Sequence, residues 1–558
     1  MKVVKQYFSS LSIFSKPLAV LAVVVSLLLT LPVMTVVSQW FHGSFDVWGH
    51  LSETVLWGYL VSSWWLSLGV GLGVLMIGVP AAWLTSLCDF PGQRFFTWAL
   101  LLPLAVPAYI IAYTYTGILD FAGPIQTAIR SWVGIENTPL WLFNIRSLPG
   151  AIVMLTLVLY PYVYLLARTA FLEQSASIVE VSKTLGYSYR QTTLHLVLPM
   201  ARPAIIAGLT LALMETLADF GTVQYFGVST FTTGIFRAFY GFGDMAAASQ
   251  LSSVLLGVVI LLIVLERYSR RQTRYHTVKG KIAQRIPLTG SKALLAMVAC
   301  GLPFVLGFLI PAVQLLYWSL VKAEIDKDFV ALAWNSFYLA FIASVIAVVL
   351  AVVLAYAKRF YQRKRIVVCA ASISSMGYAL PGTIIAIGVI VPFSWLDHQL
   401  IIFAEQWLNI DIGLLFSGTL MVLLFAYTVR FLAVSLGTVD SGLQKIKPHL
   451  DQAASLSGYR PLTVLRKIHV PLLRGSLLTA LLIVFVDVLK ELPATLILRP
   501  FNFNTLAVRA YELASDERLI DAAPASLLIV LVGLLPVVLL SRSINYSRQS
   551  HINSTSKS

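Results

Sequence analysis

Long apolar runs constrain this sequence more than any other feature. Six runs lie in the first half of the chain and six in the second. A helix needs about 20 apolar residues to cross a membrane. The runs centre on residues 18–41, 57–85, 95–119, 148–172, 201–225, 249–265, 293–320, 333–357, 366–392, 412–436, 473–496 and 523–541. Because 58% of the residues are hydrophobic and 12% are charged, the pattern predicts an all-α polytopic membrane protein with about 12 transmembrane helices.

The second six runs repeat the first six. The aligned pairs are Ser62 with Ser336, Ala81 with Ala355 and Pro107 with Pro381 at an offset of 274, and Leu217 with Leu489, Thr233 with Thr505 and Arg237 with Arg509 at 272. Since an even number of spans separates the copies, both have the same orientation across the membrane. The sequence therefore predicts two parallel six-helix repeats with a pathway between them.

The distribution of positive charge gives the predicted domains and topology. The stretch 267–292 contains eight basic residues and no acid, which is typical of a cytoplasmic segment. We predict a first transmembrane domain over 1–266, a basic cytoplasmic linker over 267–292, a second transmembrane domain over 293–545 and a polar cytoplasmic tail over 546–558. Both termini are expected in the cytoplasm. Topology explains the basic block better than nucleic-acid binding, so no nucleic-acid partner is predicted.

A polar segment follows the fourth run of each half. The first copy, residues 177–203, reads SIVEVSKTLGYSYRQTTLHLVLPMARP, and the second, residues 449–475, reads HLDQAASLSGYRPLTVLRKIHVPLLRG. We name these segments the first and second elbow. At an offset of 272, Gly186 aligns with Gly458 and Pro199 with Pro471. A matched pair of polar segments on one face of a membrane protein indicates a docking surface for a pair of partner subunits.

Local signals predict a helix, a break and a short second helix in each elbow. Gly186 favours a left-handed end to the first helix. Ser188 with Gln191 fits a capping box for the next helix, and Pro461 suits the first turn of that helix in the second elbow. Proline at the far end of each elbow, 199 and 471, is expected to end the short helix.

The elbows resemble the EAA loop of ABC-transporter permeases, whose pattern is roughly E-A-A-x-x-x-G followed by I-x-L-P. The matching segments are EVSKTLG with LVLP and QAASLSG with IHVP. Glu180 keeps the acid of the pattern, whereas Gln452 replaces it in the second copy and Asp451 precedes it. The resemblance implies that ATP-binding subunits dock on both elbows, asymmetrically in detail. The implied coupling residues are Glu180, Gly186, Pro199, Asp451, Gln452, Ala453, Gly458 and Pro471.

Two further stretches resemble fused ferric-iron permeases. They are LADFGTVQYFGVSTFTTGIFRAFY, residues 217–240, and KELPATLILRPFNFNTLAVRAYE, residues 490–512. The resemblance runs from about Ser62 to Leu540. It implies a type I ABC importer fold in a bacterial inner membrane, an ATP-binding subunit dimer at the cytoplasmic face, and a periplasmic binding protein that delivers Fe(III). Fused thiamine permeases share this architecture, and phosphonate, polyamine and sulfate permeases share the elbow.

Two carboxylates fall within the fifth run of each half, four in all. Glu215 and Asp219 lie on one helical face, and at an offset of 272 they align with Asp487 and Glu491. Charged groups inside a membrane usually face the protein interior or a water-filled cavity, and hard cations prefer oxygen ligands. The four acids are therefore candidates for a substrate path. The alternative is structural pairing, with Lys490 and nearby arginines, or gating.

Other reactive side chains form no catalytic pattern. The sequence contains no G-x-x-x-x-G-K-[ST], H-E-x-x-H or C-x-x-C motif, so we expect no catalytic residue, no bound cofactor and no assigned metal ligands, with ATP hydrolysed by a separate subunit. The three cysteines imply no disulfide framework. His195 and His469 are expected to face solvent. The rival class is an ion-coupled secondary transporter, which would use the intramembrane acids as relays and need no ATPase.

Overall fold

The computed structural model is predominantly helical, which confirms the predicted fold class. It describes residues 2–41, 46–133, 144–173, 182, 186–271, 285–324, 327–361, 364–459 and 461–538. The α-helices of the first half are Lys2–Ser38, Asp46–Thr54, Leu56–Leu87, Gln93–Ala99, Ala108–Leu119, Pro124–Val133, Leu148–Glu173, Tyr189–Thr192, Leu198–Ala218, Gly221–Tyr225, Phe231–Phe236 and Met245–Arg271.

The second half is also predominantly helical. Its α-helices are Ser291–Phe304, Ile310–Tyr317, Phe329–Phe360, Arg365–Ser374, Gly382–Phe403, Leu420–Gln444, Pro448–Leu456, Pro461–Val464, Val470–Leu489, Pro493–Leu498, Leu506–Ser515 and Ala523–Val538. Two-residue strands, Cys88–Asp89 and Ile286–Pro287, pair in parallel. Since Arg285 Nη1 also donates to Gln93 Oε1 at 2.8 Å, the end of the predicted linker is fixed to the turn at Cys88–Asp89.

The described residues contain ten helices long and apolar enough to cross a membrane, or eleven if one bent pair counts as a span. Two of the 12 predicted runs are missing from the ten: the third run, which forms this bent pair, and the twelfth, whose described helix Ala523–Val538 is too short to count as a span. Pro107 precedes helix Ala108–Leu119, and Pro381 precedes helix Gly382–Phe403. The residue before a proline is driven to an extended conformation, and a 92° bend in the first half results.

The helices group into two compact units that exchange spans. The first-repeat unit consists of Phe45–Gly243, Val254–Phe329 and Arg509–Ser558, and the second-repeat unit of Met1–Ser44, Asp244–Ser253 and Val330–Val508. The first span of each half therefore belongs to the unit formed mainly by the other half. The domain boundaries predicted from the sequence divide the chain by repeat, and they remain a prediction. The predicted tail, 546–558, lies outside the described residues.

The core of the first-repeat unit forms where helix Leu56–Leu87 packs along Leu148–Glu173, which also contacts Leu198–Ala218. Tyr160 and Tyr164 are fully buried within it. In the second-repeat unit, Leu420–Gln444 packs against Val470–Leu489. These helices flank each elbow, so each elbow is attached to the core of its own unit.

A serine hydrogen bond is repeated in both units. The Phe231 N–H donates to Ser63 Oγ at 3.4 Å, and the Leu506 N–H donates to Ser336 Oγ at 2.7 Å. Each bond satisfies an N–H at the start of a short helix. Ser63, next to the aligned Ser62, therefore makes the contact in the first repeat that Ser336 makes in the second.

A close approach of backbones requires glycine in the second-repeat unit. A Cβ at Gly388 would lie 2.3 Å from the carbonyl oxygen of Pro32 in helix Lys2–Ser38. No side chain fits at that distance unless the helices move apart. Gly388 therefore permits the first span to pack closely against helix Gly382–Phe403.

We expect Gly388→Ala to lower the free energy of unfolding by about 1–3 kcal/mol, because the added methyl overpacks the contact. Thermal unfolding of the purified protein in detergent measures this change. The matched control is Gly437→Ala, which also lies in a spanning helix but has no atom within 4 Å of the new Cβ. Equal melting temperatures for the two variants would contradict the packing explanation.

Candidate functional site

The second elbow has the predicted helix, break and helix. Helix Pro448–Leu456 ends before Gly458, whose φ is 78°. The Tyr459 N–H reaches back to the carbonyl of Ala454 at 3.1 Å, which is the bond of a left-handed helix end. The next helix starts at Pro461 as predicted. Glycine is required here because other residues rarely adopt this φ.

The described part of the first elbow has the same glycine turn. Gly186 has a φ of 80°, and the Tyr187 N–H donates to the carbonyl of Ser182 at 3.0 Å. The Ser188 N–H donates to Gln191 Oε1 at 2.9 Å, and the Gln191 N–H donates to Ser188 Oγ at 3.3 Å. The capping box is therefore confirmed. Glu180 lies outside the described residues.

The prolines at the far end of each elbow do not end a helix, which corrects the prediction. The chain continues as one helix over Thr193–Ala218 and over Leu462–Leu489. A wide turn precedes each proline. In the turn before Pro199, the Leu198 N–H donates to the carbonyl of Thr193, five residues back. The wide turn removes the usual conflict between a proline ring and the preceding turn. Pro199 and Pro471 are both exposed.

The two elbow histidines differ. His195 is exposed, as predicted. His469 is fully buried, contrary to the prediction, and its Nε2 lies 2.7 Å from Asp451 Oδ1. No local sequence pattern marks this pairing, because 18 residues separate the partners.

Asp451 faces the interior, whereas its neighbours face outward. Arg359 Nη2 lies 2.8 Å from Asp451 Oδ2. Burial alone would raise the pKa of Asp451, but the hydrogen bonds from His469 and Arg359 outweigh it and hold the pKa below its ordinary value. Gln452 and Ala453 are exposed, so they form the accessible face of the elbow helix.

Each fifth span breaks at an acid that caps the following helix. Helix Leu198–Ala218 ends beside Asp219, whose Oδ1 accepts from the N–H groups of Thr222 and Val223 at 3.1 Å. Such a carboxylate satisfies N–H groups that a helix start leaves unpaired.

The second half uses the same device. Helix Val470–Leu489 ends, and Pro493 starts the next helix. Glu491 Oε1 accepts from the Ala494 N–H at 3.2 Å, and its Oε2 accepts from the Thr495 N–H at 3.1 Å. Asp219 and Glu491 are therefore equivalent in structure as well as in sequence.

Basic partners distinguish the second-half acids. Arg430 Nη1 lies 2.6 Å from Glu491 Oε1, with side chains only 10% and 2% exposed, and Lys490 Nζ lies 2.8 Å from Asp487 Oδ1. The arginine and carboxylate fit because Gly382 has no side chain: its Cβ would lie 2.4 Å from Arg430 Nη1. The structural-pairing alternative therefore holds for the second-half acids.

Among the residues that the structure describes, the first-half acids have no such partners. At an offset of 272, Val158 stands where the second half has Arg430, and Ala218 stands where it has Lys490. Glu215 is half-buried. Among the described residues, its carboxylate has neither a hydrogen-bond donor nor a basic partner. No group of three or more His, Cys, Asp or Glu side chains that could hold a metal ion occurs in the described part of the chain.

Sequence reasoning missed a cluster around Arg146. Its guanidinium makes two bonds to Glu517, at 2.6 and 2.8 Å, and lies 3.1 Å from Asp120. The hydrogen bonds from Arg146 lower the pKa of Glu517, which adopts a left-handed φ of 62°. Arg146 also lies over the ring of Tyr225, in the short helix capped by Asp219. No local pattern marks residues this far apart in the chain.

Two helical repeats, each with an elbow that turns at a glycine of positive φ, define a membrane-embedded transporter subunit. The chain belongs to the family described as "Binding-protein-dependent transport system inner membrane component", which matches residues 74–274 and 347–549. It is therefore a multi-pass inner-membrane permease of a binding-protein-dependent ABC import system, with the type I importer fold.

Three relatives illustrate the range of similarity. An Fe(3+)-transport system permease protein of Haemophilus influenzae is 26% identical over 481 residues, which cover 85% of this chain and 87% of the relative. A ferric transport system permease protein of Actinobacillus pleuropneumoniae is 23% identical over 75% of this chain and 61% of its own length. A molybdenum transport system permease protein of Haemophilus influenzae is 25% identical over 36% of this chain and 89% of its own.

We expect Arg430→Met to destabilise the protein by about 3–5 kcal/mol, because Glu491 would remain buried without its partner. Thermal unfolding in detergent measures the loss, and the double variant Arg430→Met/Glu491→Gln should recover much of it. Lys490→Met is the control, since its pair is more exposed and should contribute at most about 1 kcal/mol. A double variant as unstable as Arg430→Met would contradict the role of the ion pair.

Proposed function

We propose that this permease imports Fe(III) delivered by a periplasmic binding protein, driven by a separate ATP-binding subunit dimer at the cytoplasmic face. The observation that carries the proposal is the extent of similarity. The ferric relative from Haemophilus influenzae matches 85% of the chain, whereas the molybdenum relative matches 36%. Thiamine, polyamines or another small solute are the alternative substrates. Both termini are cytoplasmic in this proposal, and an ion-coupled mechanism is the less favoured alternative.

The acids of the first half are the stronger candidates for contact with a cation. In the second half, Arg430 and Lys490 neutralise Glu491 and Asp487, whereas the first-half pair has no basic partner among the described residues. Asp219 is held by the helix that it caps. Glu215 alone could therefore offer its carboxylate without breaking a described contact, and a hard cation favours such an oxygen ligand.

The exposed faces of the elbows support docking of the ATP-binding subunits. Leu456 and Leu462 of the second elbow are 79% and 76% exposed, and Leu194 of the first is 50% exposed. Apolar side chains on a polar segment suit the core of a protein interface. Gln452 and Ala453 lie on this accessible face, so they remain proposed coupling residues together with Glu180.

Uptake of radiolabelled iron by cells that express the transporter with its partners tests the substrate proposal. Vanadate should stop uptake and a proton uncoupler should not stop it directly, because ATP is the proposed energy source. Excess thiamine, polyamine or molybdate should compete poorly. Uptake abolished by the uncoupler with ATP levels preserved would favour an ion-coupled mechanism, and competition by thiamine would identify a different substrate.

We expect Glu215→Gln to lower iron uptake roughly tenfold, by analogy with the 10–100-fold cost of altering groups around a metal site. The protein should remain folded, because no described partner loses a bond. Asp487→Asn is the matched control in the second half, where the ion pair with Lys490 makes direct contact with substrate less favourable. Equal uptake by the two variants at matched expression would contradict the assignment to the first half.

We expect Glu180→Arg to weaken co-purification of the ATP-binding subunit and to reduce uptake, because the docking surface would gain a repulsive charge. The control is Tyr268→Arg, a substitution at an exposed residue outside both elbows. Wild-type co-purification and uptake by the Glu180→Arg variant would count against docking on the first elbow.

A further inference from the structure

Three side chains from different segments meet at the second elbow. Asp451 lies in the elbow helix Pro448–Leu456, Arg359 lies near the end of span Phe329–Phe360, and His469 lies just before helix Val470–Leu489. Arg359 Nε and Nη2 lie 3.0 and 2.8 Å from Asp451 Oδ2, and His469 Nε2 lies 2.7 Å from Oδ1. Both carboxylate oxygens of Asp451 are therefore bound, one by each span. We name these residues the elbow triad.

The elbow triad is built into the surrounding structure. The side chain of His469 is fully buried and that of Arg359 is 14% exposed. The Arg359 guanidinium also donates to the carbonyls of Leu443 and Ile446, which precede the elbow. The ring of Tyr356 packs edge-on against His469, with centroids 5.5 Å apart. These contacts fix the orientation of the elbow helix relative to both spans.

The first elbow lacks the charges of the elbow triad. By sequence, Thr85 aligns with Arg359 at an offset of 274, and Val179 and Val197 align with Asp451 and His469 at 272. The described part of the first elbow is held by neutral groups. Thr192 Oγ1 donates to Ser182 Oγ at 2.9 Å, and Trp83 Nε1 donates to Thr193 Oγ1 at 3.2 Å.

We propose that Asp451 is a positioning residue that links the second elbow mechanically to spans Phe329–Phe360 and Leu462–Leu489, through Arg359 and His469. The inference rests on the proposed docking of an ATP-binding subunit on the elbow. Asp451 then acts on the inner side of the elbow helix, while Gln452 and Ala453 face the subunit. Motion of the subunit reaches the two spans only if the elbow helix moves with them.

The chemistry of the elbow triad suits this role. Charge-assisted hydrogen bonds are shorter, stronger and more directional than neutral ones. Asp451 can hold three of them because an ionised carboxylate accepts at two oxygens. An uncharged amide in its place would keep the shape but lose the strong acceptors. The elbow helix could then follow the ATP-binding subunit without moving the spans.

The test compares transport with ATP hydrolysis in the complete transporter, reconstituted with its ATP-binding subunit and supplied with loaded binding protein. For Asp451→Asn we expect co-purification of the subunit and ATP hydrolysis within about twofold of wild type, and transport per ATP reduced roughly tenfold, within the usual range of coupling between sites. Unchanged transport per ATP in this variant would overturn the proposal.

The matched control is Asp440→Asn. Asp440 Oδ2 lies 2.7 Å from Lys358 Nζ, so this variant breaks an ion pair of the residue next to Arg359 without touching the elbow. Transport per ATP should stay near the wild-type value. An equal loss in this variant would overturn the proposal, because it would show that any ion pair on the span Phe329–Phe360 has the same effect.

A double variant that exchanges the charges of Arg359 and Asp451 distinguishes a positioning role of the ion pair from a role in folding. The double variant Arg359→Asp/Asp451→Arg should restore part of the transport per ATP lost in either single variant, because it re-forms the link to span Phe329–Phe360 but not the bond to His469. A folded double variant that is no better coupled than either single variant would contradict the proposal. This result decides the matter even if Asp451→Asn fails to accumulate in the membrane. Failure of the docking proposal is recognised separately, since then the Glu180→Arg variant would keep its subunit.

Discussion

A helix that breaks inside a membrane leaves backbone N–H groups that no bulk water can satisfy, and both repeats depend on how this cost is met. At the end of each fifth span a carboxylate accepts the N–H groups of the next short helix, Asp219 in the first repeat and Glu491 in the second. The acids thereby make an irregular backbone possible at this position. Their presence in an apolar run is explained by this requirement before any contact with substrate is considered.

The two repeats share these helix caps but differ in the charged residues around them. The second repeat adds Arg430 and Lys490, which neutralise its acids, and the close approach at Gly382 admits the arginine. The first repeat has Val158 and Ala218 at the aligned positions. The elbows also differ in charge. Ion pairs hold the second elbow, whereas a hydrogen bond between hydroxyl groups holds the described part of the first. The duplicated frame therefore supports unequal roles for the two halves.

The sequence predicted the features that depend on near neighbours. The glycine turns at 186 and 458 and the capping box of Ser188 follow from residues within a few positions of one another. The prediction for Pro199 is wrong because a wide turn, which no local pattern marks, accommodates the proline.

Features that depend on distant residues could not be predicted. His469 pairs with Asp451, and Arg146 with Glu517, only because the fold brings separate segments together. The exchange of spans between the two units escaped prediction for a different reason. Apolar spans of similar length carry no sequence signal for the unit that they join, and the close contact of Gly388 with Pro32 appears only in the packed structure.

The proposed function requires that two repeats of like orientation place both elbows on the cytoplasmic face. The test introduces a single cysteine, by Leu194→Cys or Leu462→Cys, into a chain whose Cys88, Cys300 and Cys369 are replaced by serine. The introduced cysteine is then probed with a membrane-impermeant maleimide. Both side chains are exposed. The account predicts labelling of both positions in inside-out vesicles and of neither in right-side-out vesicles. Labelling of the two positions from opposite sides, or of both from outside, would contradict it.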